Sequence, residues 1–211
     1  METIIQWYFD HLNYWTITLL MTIESSFIPF PSEVVIPPAA YHAATNAQMS
    51  LVLIVLAATL GAILGALVNY FLSLWIGKPL VYKFADSKLG HLLLLSVEKI
   101  RKAEDYFNDH GAVSTFIGRL IPAIRQLISI PAGLAKMPLG RFICFTALGA
   151  GIWNTVLAVL GYTLSKAVPE NQLVNTVTHY SHEIGYTIAA IVVAVLAVVI
   201  IRNHRKNHSL K

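Results

Sequence analysis

The chain has 211 residues, 56% of them hydrophobic and 12% charged, where soluble domains carry about a quarter charged residues; the deficit points to lipid surroundings. The formal net charge of +4 raises nucleic acid as a partner, but the basic residues fall where membrane topology would put them, which argues against one. The single cysteine, Cys144, lies inside an apolar run, so neither a disulfide framework nor a thiolate metal site is expected.

The N-terminus lacks the basic region of a cleavable signal, so no processing is expected, and the length suits a single membrane domain over 1–211. The first apolar stretch, Trp15–Ala44, is interrupted by Pro29, Pro31, Pro37 and Pro38. Proline inside a helix removes a donor and costs about 3 kcal/mol. Thr16–Ile28, the helix-compatible part before Pro29, reaches only about 20 Å at 1.5 Å per residue, short of the roughly 30 Å of a bilayer core. The stretch therefore reads as a re-entrant hairpin, which survives at membrane depth only when buried in protein or lining a wet cavity.

Ser50–Ile76 follows as a full span, since roughly 20 apolar residues suffice; hairpin and span together make up 15–76. The polar segment 77–111 comes next. Within it Val97, Ile100, Ala103 or Glu104, and Phe107 recur at three to four residues between charged Glu98, Lys99, Arg101, Lys102 and Asp105. That periodicity predicts an amphipathic interfacial helix with Ser96 as N-cap and Gly111 as its stop. A second interrupted stretch, Ala112–Leu139, carries Pro122, Pro131 and Pro138, and the second span, about Phe142–Leu164, closes a second hairpin-plus-span unit over 112–164. A third span is expected at 184–201 and a tail at 202–211.

Charge placement orients these elements. No Lys or Arg precedes Lys78, while Lys78, Lys83, Lys88, Lys99, Arg101, Lys102, Lys136 and Arg141 crowd the middle of the chain, and Arg202, Arg205, Lys206 and Lys211 end it. The positive-inside rule then puts the middle segment and the C-terminus in the cytoplasm. By parity the first hairpin enters from outside and the second from the cytoplasm. Each is followed by a span bearing the same signature, Leu60-Gly61-Ala62 and Leu148-Gly149-Ala150. The predicted fold is thus all-α and integral to the membrane: three transmembrane helices and two opposed re-entrant hairpins in an inverted repeat, the plan of secondary transporters with a site where broken helices meet.

Glu24, Glu33, Arg119 and Arg125 all fall inside the hairpins, where an ionisable group costs about 2.5–3.5 kcal/mol and is functional by default. Arg119 and Arg125 are six residues apart, roughly 120° around a straight helix; Glu24 and Glu33 are nine apart, on opposite faces. Breaks at Pro29, Pro31, Pro122 and Pro131 would let each pair converge, setting two carboxylates beside two guanidiniums. One reading is a buried ion-pair cluster that locks the hairpins. The other is a binding site, since two arginines in fork geometry suit a phosphate. Protons enter as a candidate coupling ion because low dielectric disfavours a charged carboxylate. Asn69 and Asn154 are either interhelical hydrogen-bonding groups or polar lining. Ser129 and Gly133 either relax the second tip or are plain turn residues. The glycines at 61, 65, 149, 151 and 161 read as close-packing positions.

An enzyme is not expected: a lipid phosphatase needs His and Asp in opposed motifs, and no His lies near either hairpin tip. His179-x2-His182-Glu183 has neither the zincin spacing nor its inverse, so no metal site is expected there, and no cofactor elsewhere. A scaffold without a translocated ligand would carry buried charges that cost stability without need.

Glu24-x4-Pro29-x-Pro31-Ser32-Glu33, then Phe116-x-Gly118-Arg119-x2-Pro122-x2-Arg125, then Pro131-Ala132-Gly133-x3-Met137 and Trp153 closely resemble the DedA family of bacterial membrane proteins, within the wider SNARE-associated or VTT-domain superfamily. The resemblance covers about Thr16–Leu164. It implies two opposed re-entrant hairpins and transport of a membrane lipid. The implied substrate is a polyprenyl phosphate, undecaprenyl phosphate returning across the inner membrane, or a phospholipid such as phosphatidylethanolamine, moved by a translocase or scramblase. The family's essential acidic and arginine positions match Glu24, Glu33, Arg119 and Arg125. Some members are proton-dependent, and some carry a further essential Asp where this chain has Val34–Ala40 and no acid, so the resemblance implies the fold more strongly than it implies proton coupling. A homo-oligomer stays open.

Overall fold

The computed structural model describes Tyr8, residues 11–26, 31–46, 49–85, 97–121 and 124–169, and parts of 172–190. Helix α1, Tyr14–Glu24, starts at Asn13, whose side chain accepts from the Trp15 and Thr16 amides while the Thr16 hydroxyl accepts from the Asn13 amide. This reciprocal cap satisfies amides that otherwise lack partners. The helix stops at Glu24 after 11 residues. A 3-10 turn over Ser32–Val34 follows extended Pro31, and α2 runs Ile36–Asn46. Pro37 and Pro38 fall in the first turn of α2, where a missing amide costs no intrahelical bond; they begin a helix rather than interrupt one.

Helix α3 runs Leu51–Ala85, and its Leu51–Trp75 part is long and apolar enough to cross a bilayer. It does not end at the predicted polar boundary but continues through Gly77 and Pro79. Helix α4, Val97–Leu120, likewise passes through Gly111 without stopping. The reason is local: a Cβ at Gly111 would stand 2.9 Å from the Phe107 ring one turn earlier, so this glycine makes room for a buried aromatic and does not cap the helix.

Residues 124–128 wind through turns, with the Arg125 and Ile128 amides donating to the Ile121 and Ile124 carbonyls, into the short helix α5, Ser129–Leu134. Pro131 lies in the first turn of α5, so the break precedes it. The helix ends in a Schellman motif: the Met137 amide donates to Ala132 O and the Lys136 amide to Gly133 O, with Lys136 at φ 52° in the left-handed position usual for glycine. Helix α6, Leu139–Leu164, is the second helix of spanning length and composition. All regular structure among the described residues is helical. Pro29, Pro122, Ser96, nearly all of the predicted third span and the tail 202–211 lie outside the described residues.

The two halves pack by exchange. Helix α1 lies on α3 and α4 on α6, each on the long helix of its own half, whereas α2 lies on α6 and α5 on α3. Glycines sit at all four contacts. A Cβ at Gly61 would meet Thr18 O at 2.4 Å, and one at Gly65 would meet Thr22 O at 2.3 Å. At Gly149 it would meet Arg119 Cβ at 2.6 Å, at Gly161 Pro37 O at 2.3 Å, and at Gly133 Tyr70 O at 2.4 Å. Gly133 is therefore a packing residue and not a relaxed tip. Two apolar clusters result: one joins Ile17, Met21, Ile36, Ile54, Trp153 and Leu157, the other Ala66, Tyr70, Phe107, Ala132 and Phe142. Along both long helices the stretch between the clusters, at Ala62 and Ala150, borders the buried charges.

Candidate functional site

Each of the four predicted charges is buried: Glu24 is 2% exposed, Arg119 3%, Glu33 5% and Arg125 8%. Glu24 is the last residue of α1, Arg119 the penultimate residue of α4, and Arg125 stands in the turn before α5. Short arms that end against the long helices are what bring these side chains to one place. Arg125 Nη2 pairs with Glu24 Oε1 and donates to Ser32 Oγ at 2.6 Å, and its guanidinium carbon stands 5.7 Å from the centre of the Trp153 ring. The other Glu24 oxygen accepts from Ser25 Oγ at 2.6 Å. Arg119 Nη2 donates to Ser129 Oγ at 2.8 Å.

Glu24, Arg119, Arg125, Ser25, Trp153 and Asn154 share the lining of one hollow with Met21, Ala62 and Ala150; its volume is about 10 Å³, room for roughly one water. Two buried donors there have no acceptor among the described residues, Arg119 Nε and Trp153 Nε1. Buried polar groups are as a rule hydrogen-bonded, and these two donors are exceptions among the described residues. At that volume the hollow is too small for a phosphate as the side chains stand.

The fourth charge does not join the other three. Glu33 accepts from Ser32 Oγ at 3.5 Å and from Ser181 Oγ at 3.4 Å, and it pairs with no cation among the described residues. The expected cluster of two carboxylates and two guanidiniums is therefore one carboxylate with two guanidiniums, and a second carboxylate linked to it through Ser32. Asn69 and Asn154 are interhelical tethers: Asn69 Nδ2 donates to Ser25 O at 3.2 Å and Gln126 O at 3.3 Å, tying both broken segments to α3. Asn154 Nδ2 donates to Thr59 Oγ1 at 3.2 Å, and Asn154 also lines the hollow. Ser129, fully buried, is the partner of Arg119. Sequence reasoning passed over Ser32, Ser181 and Trp153 as site residues. For Ser32 and Trp153 the available signal was their place beside charged or motif positions; Ser181 carried none.

The VTT-domain family model matches residues 15–163. The chain is 30% identical over 198 residues to undecaprenyl phosphate transporter A of Staphylococcus aureus, covering 94% of this chain and 95% of that one. It is 40% identical over 164 residues to an alkaline phosphatase-like protein of Lactococcus lactis, 78% of this chain and 76% of that one. A protein from Bacillus subtilis, also named undecaprenyl phosphate transporter A, is 30% identical over 134 residues, 64% of this chain and 65% of its own length. No solved structure matches. A helical chain with two helices of spanning length, buried charges between them and this match belongs to the VTT-domain, or DedA, family of membrane proteins.

Proposed function

We propose that the chain is a lipid-phosphate transporter of the bacterial inner membrane, with the C-terminus in the cytoplasm, and that undecaprenyl phosphate is the lipid it returns across the bilayer. The observation that carries this reading is the pair of idle buried donors, Arg119 Nε and Trp153 Nε1, beside the Arg125 guanidinium. Planar guanidiniums and aimed N–H groups complement phosphate oxygens. The names of two relatives support the same substrate. In this reading the two broken segments are re-entrant from opposite faces, a third span follows, and the hollow lies where their ends meet, as in transporters built from inverted repeats. Arg125 is held by Glu24; an arriving phosphate must displace that carboxylate, and protonating Glu24 would release the guanidinium. Protons are thus proposed as the coupling ion.

Transport is proposed rather than hydrolysis, although one relative is named for a phosphatase. The decisive experiment reconstitutes the protein in liposomes and follows undecaprenyl phosphate movement and phosphate release together. Movement without release, lost in Arg119→Lys, is expected. Release of inorganic phosphate by purified protein would replace the transport reading with an enzymatic one.

A second reading, a translocase or scramblase of phosphatidylethanolamine, draws on Glu33. It is a buried carboxylate held by hydroxyls alone among the described residues, and a lipid ammonium would complete it. Competition between the two lipids separates the readings: Glu33→Gln should weaken phosphatidylethanolamine binding selectively if that lipid is cargo.

A further inference from the structure

On the outer side of the α3–α6 contact lies an open groove of about 480 Å³, walled by Val55, Leu56 and Thr59 of α3 and by Leu148, Gly151 and Ile152 of α6, among others. Leu56 is 59% exposed, Leu148 52% and Ile152 47%, so the groove opens toward the surrounding bilayer. Its two threonines have spent their protons on their own helices: Thr59 Oγ1 donates to Val55 O and Thr155 Oγ1 to Gly151 O, both at 2.7 Å. With no free donor on those walls, the compatible filler is hydrocarbon.

The groove adjoins the arginine hollow. Thr59 walls the groove, Asn154 lines the hollow, and Asn154 Nδ2 donates to Thr59 Oγ1 at 3.2 Å. A single side-chain hydrogen bond therefore joins the two compartments' walls. We propose that the groove seats the hydrocarbon chain of the lipid phosphate, and that the Thr59–Asn154 bond is the partition through which the headgroup passes sideways from the bilayer into the hollow. The inference rests on the lipid-phosphate reading above, and it assigns specificity for the chain to the groove and recognition of the phosphate to the hollow.

The groove can be filled without disturbing the core. A Cβ at Gly151 meets nothing closer than Thr59 Oγ1 at 3.8 Å, an ordinary contact, so a larger side chain there projects into the groove. The full-length protein, with Gly151→Leu and, independently, Ala147→Leu one turn earlier on the same groove wall, is purified in detergent, and binding of undecaprenyl phosphate and of methyl phosphate is measured along with the mass of the protein particle. Both variants are expected to weaken undecaprenyl phosphate by about tenfold or more, the cost of losing a few buried methylenes, with methyl phosphate binding and particle mass as in wild type. Undecaprenyl phosphate affinity within about twofold of wild type in both variants would overturn the proposal while leaving the transport reading intact. A particle reduced to half its mass would overturn it too, because the groove would then seat a second copy of the chain. Wild-type protein that binds neither probe would instead sink the transport reading itself.

Discussion

At Arg125 one guanidinium holds a buried carboxylate and a buried hydroxyl at once, in contact distance of an indole ring. Removing one member of such a pair is worse than removing both, because the survivor keeps its charge without a partner. Arg125→Leu should therefore lower stability by about 3–5 kcal/mol, read as thermal unfolding in detergent, and adding Glu24→Gln should recover much of the loss. Equal instability of the single and double variants would show that the charges are not coupled. The two acids should differ. Glu24→Gln mimics the protonated pair, so it should keep lipid-phosphate binding while flattening the pH profile of transport over roughly pH 5.5–8.5. Glu33→Gln, whose carboxylate touches no guanidinium among the described residues, should leave that profile unchanged. A profile flattened by Glu33→Gln and not by Glu24→Gln would move the proton to the other carboxylate. The four charges were legible in the sequence because charge at membrane depth is costly and conspicuous. Ser32 and Trp153 stood among the motif residues but without a role, since a hydroxyl or an indole costs little at such a position, and Ser181 carried no signal at all. The pairing of Glu33 with Ser181 joins residues 148 positions apart, beyond the reach of any local pattern.

Helices here are placed by what glycine leaves out. At Gly149 the backbone of α6 comes close enough to α4 that an added Cβ would stand 2.6 Å from Arg119 Cβ and 2.9 Å from Phe116 O. Gly149→Ala must push α4 away and carry Arg119 with it, so we expect about 1–3 kcal/mol of destabilisation together with weakened phosphate binding. Gly140, on the same helix, has nothing within 4 Å of an added Cβ. Gly140→Ala should be neutral or stabilising by up to about 1 kcal/mol. Unfolding and lipid-binding measurements on the two variants check both, and a harmless Gly149→Ala would mean that α4 and α6 do not need their close approach. The long helices and the existence of both breaks were readable from apolar run length and from proline. Their limits were not. Proline's meaning depends on its place: Pro37, Pro38 and Pro131 stand in first turns and begin helices, and α3 runs on through Pro79 without ending. Glycine marks a stop when it takes a left-handed conformation, yet here it is Lys136 that does so, while Gly111 stays helical beneath Phe107.

For the molecule as a whole, the proposed topology puts both ends of the first broken segment on one face. In a Cys144→Ala background, cysteines at Asn13 and Thr45 should label from outside and one at Arg101 only from the cytoplasm; labelling of Asn13 and Thr45 from opposite faces would make the segment a full span. The exchange of arms between the long helices was not legible along the chain, because α2 and α5 choose the distant long helix through Gly161 and Gly133, and spacing along the chain does not say which helix a glycine will face. That exchange has a mechanical outcome. Glu24 rides on α1, which is seated on α3, whereas Ser32 leads into α2, which is seated on α6, so the two partners of Arg125 are anchored to different long helices. Arg119 repeats the arrangement: its own backbone rests on α6 at Gly149, while its partner Ser129 heads α5, which rests on α3 at Tyr70. Each arginine is thus a strut between the same two beams, and sliding or tilting α3 against α6 loads both struts together.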